Sequence, residues 1–287
     1  MHVVILASRP GWHVDELLRA TRAAGAEPVL LPWEGNIARM GTGAGVRNAG
    51  RLLAEARAVL ARIIPGGSME QIIYRVDTLH RLEEEGVRVM NSARAIERTV
   101  DKAWTSAILA RAGLPTPDTV ACEGVDDAMA AFEALGDVVV KPLFGSMGLG
   151  MTRVSDPDIA WRVFRAIEEI RGVFYLQRFI PHTGRDLRAF VVGGRVLGAI
   201  ERRADGWRTN FSRGGRAAPA SLTPAQAEYA VRAAAAVGAE YAGVDLLPGE
   251  DGTSWVLEVN GIPGWEGLQQ ATGLDVAGAV IAQLLAR

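Results

Sequence analysis

Ala242-Gly243-Val244-Asp245-Leu246-Leu247 and Trp255-Val256-Leu257-Glu258-Val259-Asn260 are two short β-rich runs, joined by Pro248-Gly249-Glu250-Asp251-Gly252. Apolar runs separated by a Gly/Pro/Asp cluster predict an antiparallel hairpin. Side chains alternate across a strand, so Glu258 and Asn260 are expected on one face, with Leu257 and Val259 turned into a core. Asp245, on the partner strand, reaches the same face if the register allows. A carboxylate inside an apolar run is costly unless a cation or a donor meets it. Two carboxylates and an amide oxygen are hard donors suited to Mg²⁺, which keeps several waters and completes its octahedron with substrate phosphates. The plainer reading, polar residues on a wet face, loses ground to what stands upstream.

Working outward, residues 224–237 form an Ala-rich helix leading into the hairpin, and residues 274–285 a closing helix laid on the sheet. Residues 187–192 and 195–200 pair across Gly193-Gly194, and the second run continues into Glu201-Arg202-Arg203 before the polar Trp207-Arg208-Thr209-Asn210-Phe211-Ser212-Arg213-Gly214-Gly215. Further upstream, residues 137–142 read as a strand ending at Lys141 and feeding Gly145-Ser146-Met147-Gly148-Leu149-Gly150. A strand at residues 151–154 returns from that loop, so no helix follows it and the Walker ending is missing. This excludes a dinucleotide or Walker-type loop and leaves a glycine flap between antiparallel strands, whose backbone N–H groups can fold over phosphates. Residues 157–171 are helical, and residues 174–180 form a strand running toward Pro181, Gly184 and Asp186.

The first ninety residues alternate differently. Apolar strands at residues 2–7, 28–31, 61–64 and 87–90 alternate with helices at 14–24, 49–60 and 72–85, around an irregular Gly-rich stretch at 34–48. Such alternation predicts a small doubly wound parallel sheet, which binds ligands beyond the carboxyl ends of its strands. Arg9-Pro10-Gly11 and Pro65-Gly66-Gly67-Ser68 lie at those ends, as turns or as substrate contacts. Residues 93–99 are helical, and Lys102 opens the next helix, which runs to residue 112.

With 287 residues the chain has room for two or three cores. Lys+Arg 31 against Asp+Glu 33 gives a net charge of -2, which argues against a polyanion binder and against nucleic acid or membrane as partner. Cys122, the only cysteine, excludes an internal disulfide and a Cys-based zinc site, and is expected as a buried apolar filler. None of His2, His13, His80 and His182 sits at metal-ligand spacing, and no Ser-His-Asp or Cys-His arrangement stands out. No basic n-region opens the chain and no apolar run reaches membrane length, so a cytoplasmic protein is expected.

In order, Lys102, Lys141 before a glycine flap, the hinge 177–180, Asp186 and the set Asp245, Glu258, Asn260 resemble the ATP-grasp carboxylate–amine ligases over nearly the whole chain. More narrowly, Ile200-Glu201-Arg202-Arg203-Ala204, Arg208-Thr209-Asn210 with Arg213-Gly214-Gly215, Ala242-Gly243-Val244-Asp245 and Glu258-Val259-Asn260 with Pro263-Gly264 resemble the RimK-type branch, which adds L-glutamate to carboxyl groups. The resemblance implies an α/β architecture of three parts: an N-terminal α/β domain over 1–92, a central nucleotide-lid domain over 93–178, and a C-terminal antiparallel-sheet domain with metal and catalytic groups over 179–287. It implies that Lys102, Lys141 and the flap residues Gly145, Ser146 and Gly148 hold the ATP phosphates. Gln177, Arg178, Phe179 and Ile180 meet adenine through their backbone, and Asp186 takes the ribose hydroxyls. Asp245, Glu258 and Asn260 hold two Mg²⁺ ions, with Mn²⁺ as a substitute. Arg188 joins the nucleotide site, and Arg203, Arg208 and Asn210 serve the reacting groups, while Arg202 or Arg213 is left to surface ion pairs. Arg178 departs from the branch, which usually carries an acidic residue there.

The implied reaction activates an acceptor carboxylate as an acylphosphate, which the glutamate amine attacks, leaving ADP and phosphate. The acceptor is a protein C-terminus, as in ribosomal protein glutamylation, or the side chain of a coenzyme such as a pterin or furan C1 carrier. Trp265, beside the metal ligands, favours the small molecule, unless it merely packs under the last helix. Ligation of another amino acid of the aminoadipate type, kinase chemistry and a silent nucleotide-binding module are the competing readings. By analogy with relatives, a homodimer or homotetramer is expected.

Overall fold

The computed structural model describes residues 2–145, 148–204, 206–208 and 216–286. Its first part runs β1 (His2–Leu6), α1 (Trp12–Ala23), β2 (Glu27–Leu31), β3 (Ile37–Arg39), β4 (Gly45–Asn48), β5 (Arg51–Leu52), β6 (Ala58–Ala61), α2 (Met69–Glu84), β7 (Arg88–Met90), α3 (Ala93–Val100) and α4 (Lys102–Arg111). The order β2-β1-β6-β7 makes a parallel sheet, as the alternation requires. Three expectations fail here: the strand expected at 61–64 lies instead at Ala58–Ala61, and two further stretches change type. The helix over 49–60 is instead β5, a single 3₁₀ turn at Leu53–Glu55 and β6, and the stretch 34–48 contains β3 and β4, which with β5 form a three-stranded antiparallel sheet. Ala and Leu favour helix only weakly, and tertiary pairing overrides them. All four residues of β6 are buried between β1 and β7, a place that suits a strand covered on both faces.

The central part adds β8 (Thr119–Cys122), α5 (Val125–Leu135), β9 (Val138–Val140), β10 (Thr152–Val154), α6 (Pro157–Glu169) and β11 (Phe174–Arg178) in the order β10-β9-β11-β8, all neighbours antiparallel. Neither β8 nor α5 was anticipated, and Cys122 is only partly buried. The helices α5 and α6 cover one face through Phe132, Ala160 and Phe164.

The third part holds β12 (Arg185–Val192), β13 (Arg195–Arg203), β14 (Arg216–Pro219), α7 (Pro224–Val237), β15 (Tyr241–Pro248), β16 (Ser254–Asn260), α8 (Glu266–Thr272) and α9 (Val276–Leu285). Its sheet, β14-β13-β12-β15-β16, is antiparallel throughout. One face packs on α7 and α4 through Ala189, Val191, Val244, Ala233 and Ile108. Toward the other, Phe190 and Val192 meet α9, whose Val280, Ile281 and Leu284 also join Val3, Ile5 and Leu17 of the first part. A helix that is apolar on most sides fits between two layers.

Asn91 ties these layers together. Wholly buried at the end of β7, its Nδ2 donates to the carbonyls of Tyr241 (2.8 Å) and Gly261 (2.6 Å), while its Oδ1 accepts from the amides of Glu240 (2.8 Å) and Tyr241 (3.2 Å). One side chain thereby joins the start of β15 to the residue after β16.

Candidate active site

The hairpin β15–β16 sets Asp245 directly opposite Glu258 and Gly243 opposite Asn260. Between Asp245 and Leu246 the register slips, so that Leu246 faces Val256 and Leu257 is the extra residue of a β-bulge. Simple alternation breaks at that point. Val256 and Val259 are in the core, and Leu257, expected there, lines the cleft beside Glu258. Asn260 uses its Oδ1 to accept the Ile262 amide at 2.9 Å.

Asp245 is buried and heavily paired. Arg188, across from it on β12, donates to both its oxygens at 2.6 and 2.7 Å, and Arg202 lies 2.9 Å away. Arg202 in turn grips Asp186 through two bonds of 2.6 and 2.7 Å, and Arg188 stands 3.7 Å from Glu258. Burial favours the neutral acid, but Arg188 and Arg202 outweigh it and hold the Asp245 carboxyl well below the usual range. Arg202 is therefore no surface ion pair: it is 3% exposed and bridges two buried carboxylates. Arg203, expected beside the reacting groups, falls on the opposite face of β13 by strand parity and pairs there, exposed, with Glu201.

Above this row of charges lies the central sheet. Lys141 extends from the end of β9, and its Nζ donates to Oε1 of the buried Gln177 at 2.5 Å. Burial lowers its pKa to about 8, with Lys102 adding to the shift and Glu258 and Asp245 opposing it. Lys102, at the first turn of α4, is shifted down by burial as well, and reaches the flap by donating to the carbonyls of Leu143 (3.3 Å) and Gly145 (2.8 Å). Gly150 closes the flap with φ +76, where a Cβ would meet Pro142 at 2.7 Å, so only glycine fits without displacement. From the third part Arg208 arrives at the same flap, donating to the Met151 carbonyl at 2.5 Å with its guanidinium over Trp207.

In the hinge, the Arg178 and Phe179 amides already donate to the carbonyls of Asp118 and Asp137, each at 2.8 Å. Arg178 lines the cleft, while its side chain donates to the Asp118 carboxylate and the Leu135 carbonyl. Phe179 is held by the Arg153 guanidinium 3.5 Å above its ring. Ser146 and Asn210 lie outside the described residues.

One cleft thus collects Lys102, Lys141, Gly145, Gly148, Gln177, Phe179, Ile180, Asp186, Arg202, Arg208, Asp245 and Glu258, with Val139, Leu247, Leu257 and Trp207 as apolar walls. Of these, Arg202, Leu257, Leu247, Val139 and Trp207 were not anticipated. Val139, Leu247 and Leu257 follow only from strand pairing, Trp207 lies outside the strands, and Arg202 has the strand parity that faces Asp186. Trp265 is 1% exposed and packs between His13, Phe190 and Arg62, outside the cleft.

The donor set fits magnesium held jointly with phosphate. Among the described residues no group of three or more His, Cys, Asp or Glu side chains could cage an ion. Of the expected ligands Asp245 and Glu258 line the cleft and Asn260 is not among its lining residues, and two carboxylates suit a cation that takes the rest of its shell from water and phosphate oxygens. Lys102, Lys141 and Arg208, lining the same cleft, suit a polyphosphate.

Comparison with known proteins agrees with this geometry. The model of the RimK-like ATP-grasp domain matches residues 99–284. The tetrahydromethanopterin:alpha-L-glutamate ligase of Methanosarcina acetivorans is 39% identical over 81% of this chain and 81% of its own length. That of Methanococcus maripaludis is 31% identical over 99% and 98%, and a probable alpha-L-glutamate ligase of Legionella pneumophila is 34% identical over 98% and 94%. Among solved structures, the ATP-grasp ligase PsnB complexed with minimal precursor superposes with a TM-score of 0.78 at 25% identity, covering 99% of this chain and 98% of that one. The chain belongs to the RimK-like ATP-grasp family and is a ligase that forms an amide bond with ATP.

Proposed function

We propose that this ligase adds L-glutamate to the carboxylate of a coenzyme-type acceptor, using ATP and magnesium. The observation that carries the reading is the meeting of Lys141, Lys102 and Arg208 with Asp245 and Glu258 in one cleft. The likeness to two tetrahydromethanopterin:alpha-L-glutamate ligases supports glutamate as donor and a pterin-type acceptor. The changes of sheet near residues 92 and 178 support division into domains 1–92, 93–178 and 179–287.

In this reading adenine lies between Val139, Ile180, Leu247 and Leu257, and its polar edge meets the hinge at the Ile180 amide, the next one after two that are already bonded. Asp186 offers its remaining lone pairs to the ribose hydroxyls while Arg202 fixes its orientation. Lys102, Lys141 and Arg208 hold the phosphates, and Lys102 and Arg208 leave the flap carbonyls as they do so. Asp245, Glu258 and Asn260 would hold two magnesium ions, for which manganese can substitute, and magnesium would neutralise the polyphosphate and orient its terminal group. An acceptor carboxylate oxygen attacks the γ-phosphorus, and ADP leaves with the bridging oxygen. The glutamate amine then attacks the acyl carbon, the C–N bond forms as the C–O bond to phosphate breaks, and phosphate departs with the proton the amine gives up. No protein nucleophile enters; Arg188 and Arg202 stabilise the charge that develops, and the flap keeps water from the acylphosphate. Purified protein supplied with Mg-ATP, tetrahydromethanopterin or a furan C1 carrier and each of a panel of amino acids is expected to release phosphate with glutamate and to yield a product heavier by glutamyl residues. Turnover with aminoadipate alone, or a product that retains phosphate, would overturn the reading.

Lys141 gives nucleotide binding a pH signature. Below pH 8 it is charged in both free and bound protein, whereas above that the free protein has lost a proton that phosphate binding must restore. Affinity for ATP is expected to fall as pH rises past about 8, by at most about tenfold per unit, with proton uptake visible when calorimetry is repeated in buffers of different ionisation enthalpy. Stability without ligand moves oppositely. Between about 8 and 10.5 the unfolded chain binds more protons, so this lysine makes the unligated fold more stable as pH rises through that window. Lys141→Met should flatten both trends, apart from the weaker contribution of Lys102.

A further inference from the structure

A row of polar side chains runs back from the cleft into the central sheet. Tyr175 and Gln177, two apart on β11, share one face, and strand pairing sets Thr119 of β8 directly opposite Gln177. Gln177 is 2% exposed, Tyr175 1%, and Ser106 of α4 7%. The Gln177 Nε2 donates to the Thr119 Oγ1 at 3.1 Å and to the Tyr175 hydroxyl at 3.3 Å, and that hydroxyl shares a hydrogen bond of 2.8 Å with the Ser106 Oγ. Thr119, Tyr175 and Ser106 stand behind the residues that line the cleft.

The row has a direction. The Thr119 hydroxyl gives its proton to the Pro117 carbonyl at 2.8 Å, so toward Gln177 it can only accept. That places the NH₂ end of the Gln177 amide at Thr119 and turns its oxygen to the Lys141 ammonium, 2.5 Å away. Reversed, the amide would set N–H against N–H. An ammonium carries three donors on a flexible four-carbon stem. A fixed neutral acceptor holds one of them in place and leaves two for phosphate oxygens, without the negative charge that a carboxylate would bring beside the phosphate. Burial pushes the pKa of the Tyr175 phenol up, so its hydroxyl keeps its proton. Ser106 lies one turn after Lys102 on α4, so the same row ties the helix of one cation to the strand of the other.

We propose that Thr119, Tyr175 and Ser106 are positioning residues of this ligase, which aim Lys141 at the nucleotide phosphates through the side-chain amide of Gln177. This role rests on the proposed function, in which Lys141 holds phosphate, and goes beyond the backbone contact expected of Gln177.

Calorimetry of ATP binding to the full chain in chelator, repeated between pH 7 and pH 10, tests it, with thermal melting to report on the fold. Thr119→Val combined with Tyr175→Phe keeps the shapes of both side chains and frees the amide to turn. ATP binding at pH 7 is expected to weaken at least tenfold, and the pH above which affinity falls should drop below that of the parent, since the ammonium has lost its acceptor. Thr119→Val alone, at a partly exposed position, should act in the same direction, and decides the matter where the pair lowers the melting temperature too far. Gln177→Glu should move that pH upward and Gln177→Met downward, while Lys102, Glu258 and Asp245, the other charged groups acting on Lys141, stay the same. Residues that served packing alone would leave that pH where it is. Lys141→Met separates the two readings. If it binds ATP as the parent does, the phosphate role of the lysine fails and the positioning role with it. If it binds weakly while the Thr119→Val and Tyr175→Phe chains keep the parent's affinity and pH profile, only the positioning role is overturned.

Discussion

Glu258→Gln is expected to lower ATP turnover by at least about a thousandfold, roughly 4 kcal/mol of transition-state stabilisation, while leaving the melting temperature nearly unchanged. The Glu258 side chain is 41% exposed at the cleft, and its nearest ionic partner, Arg188, is 3.7 Å away. Its removal therefore deprives the fold of little packing and no close ion pair. What disappears is one of two anionic donors that could share a magnesium with phosphate, and the amide is a weaker ligand. Phosphate release titrated with magnesium, beside nucleotide binding in chelator, separates the outcomes: magnesium-free binding should persist and magnesium-driven turnover should not. Near-normal phosphate release would move the metal away from this hairpin.

Arg202→Ala should have the largest effect on stability. The guanidinium is 3% exposed and serves Asp186 and Asp245, themselves buried, so its loss leaves two carboxylates short of a partner in a poorly solvated place. Breaking a buried pair from one side typically destabilises by about 3–5 kcal/mol, which at this chain length lowers the melting temperature by on the order of 10 °C. Arg188 keeps part of Asp245 satisfied, while Asp186 loses both bonds from Arg202. Adding Asp186→Asn should recover a good part of the stability. The deficit should also shrink as the pH is lowered toward 4, because unpaired carboxylates protonate more readily than paired ones. Calorimetry across that range checks both, and a variant that melts like the parent would show that the pair contributes nothing.

These two residues mark where the amino-acid sequence could be read and where it could not. Lys141 before a glycine run with a returning strand, the carboxylates of the last hairpin and three of the four parallel strands of the first part are local signals carried by consecutive residues, and the structure has them where they were expected, whereas the strand expected at 61–64 lies at Ala58–Ala61. Residues 49–60 have helix-forming composition but lie among partners that demand strands, so composition misled. The short β8 lacks length and α5 lacks a sharply polar face, and neither stood out. Whether Arg202 or Arg203 faces the carboxylates depends on which residues of β12 stand opposite, and pairing register is a property of two strands.

The extra residue in β16 has a consequence for how this hairpin can change. What aims Glu258 is its pairing with Asp245, and the pairs on both sides of the bulge already match face for face. Deleting Leu257 would therefore restore even alternation without turning Glu258, and would remove the side chain that lines the cleft beside it. The insertion adds a wall to the cleft, and a shortened strand should keep its row of charges while losing that apolar surface.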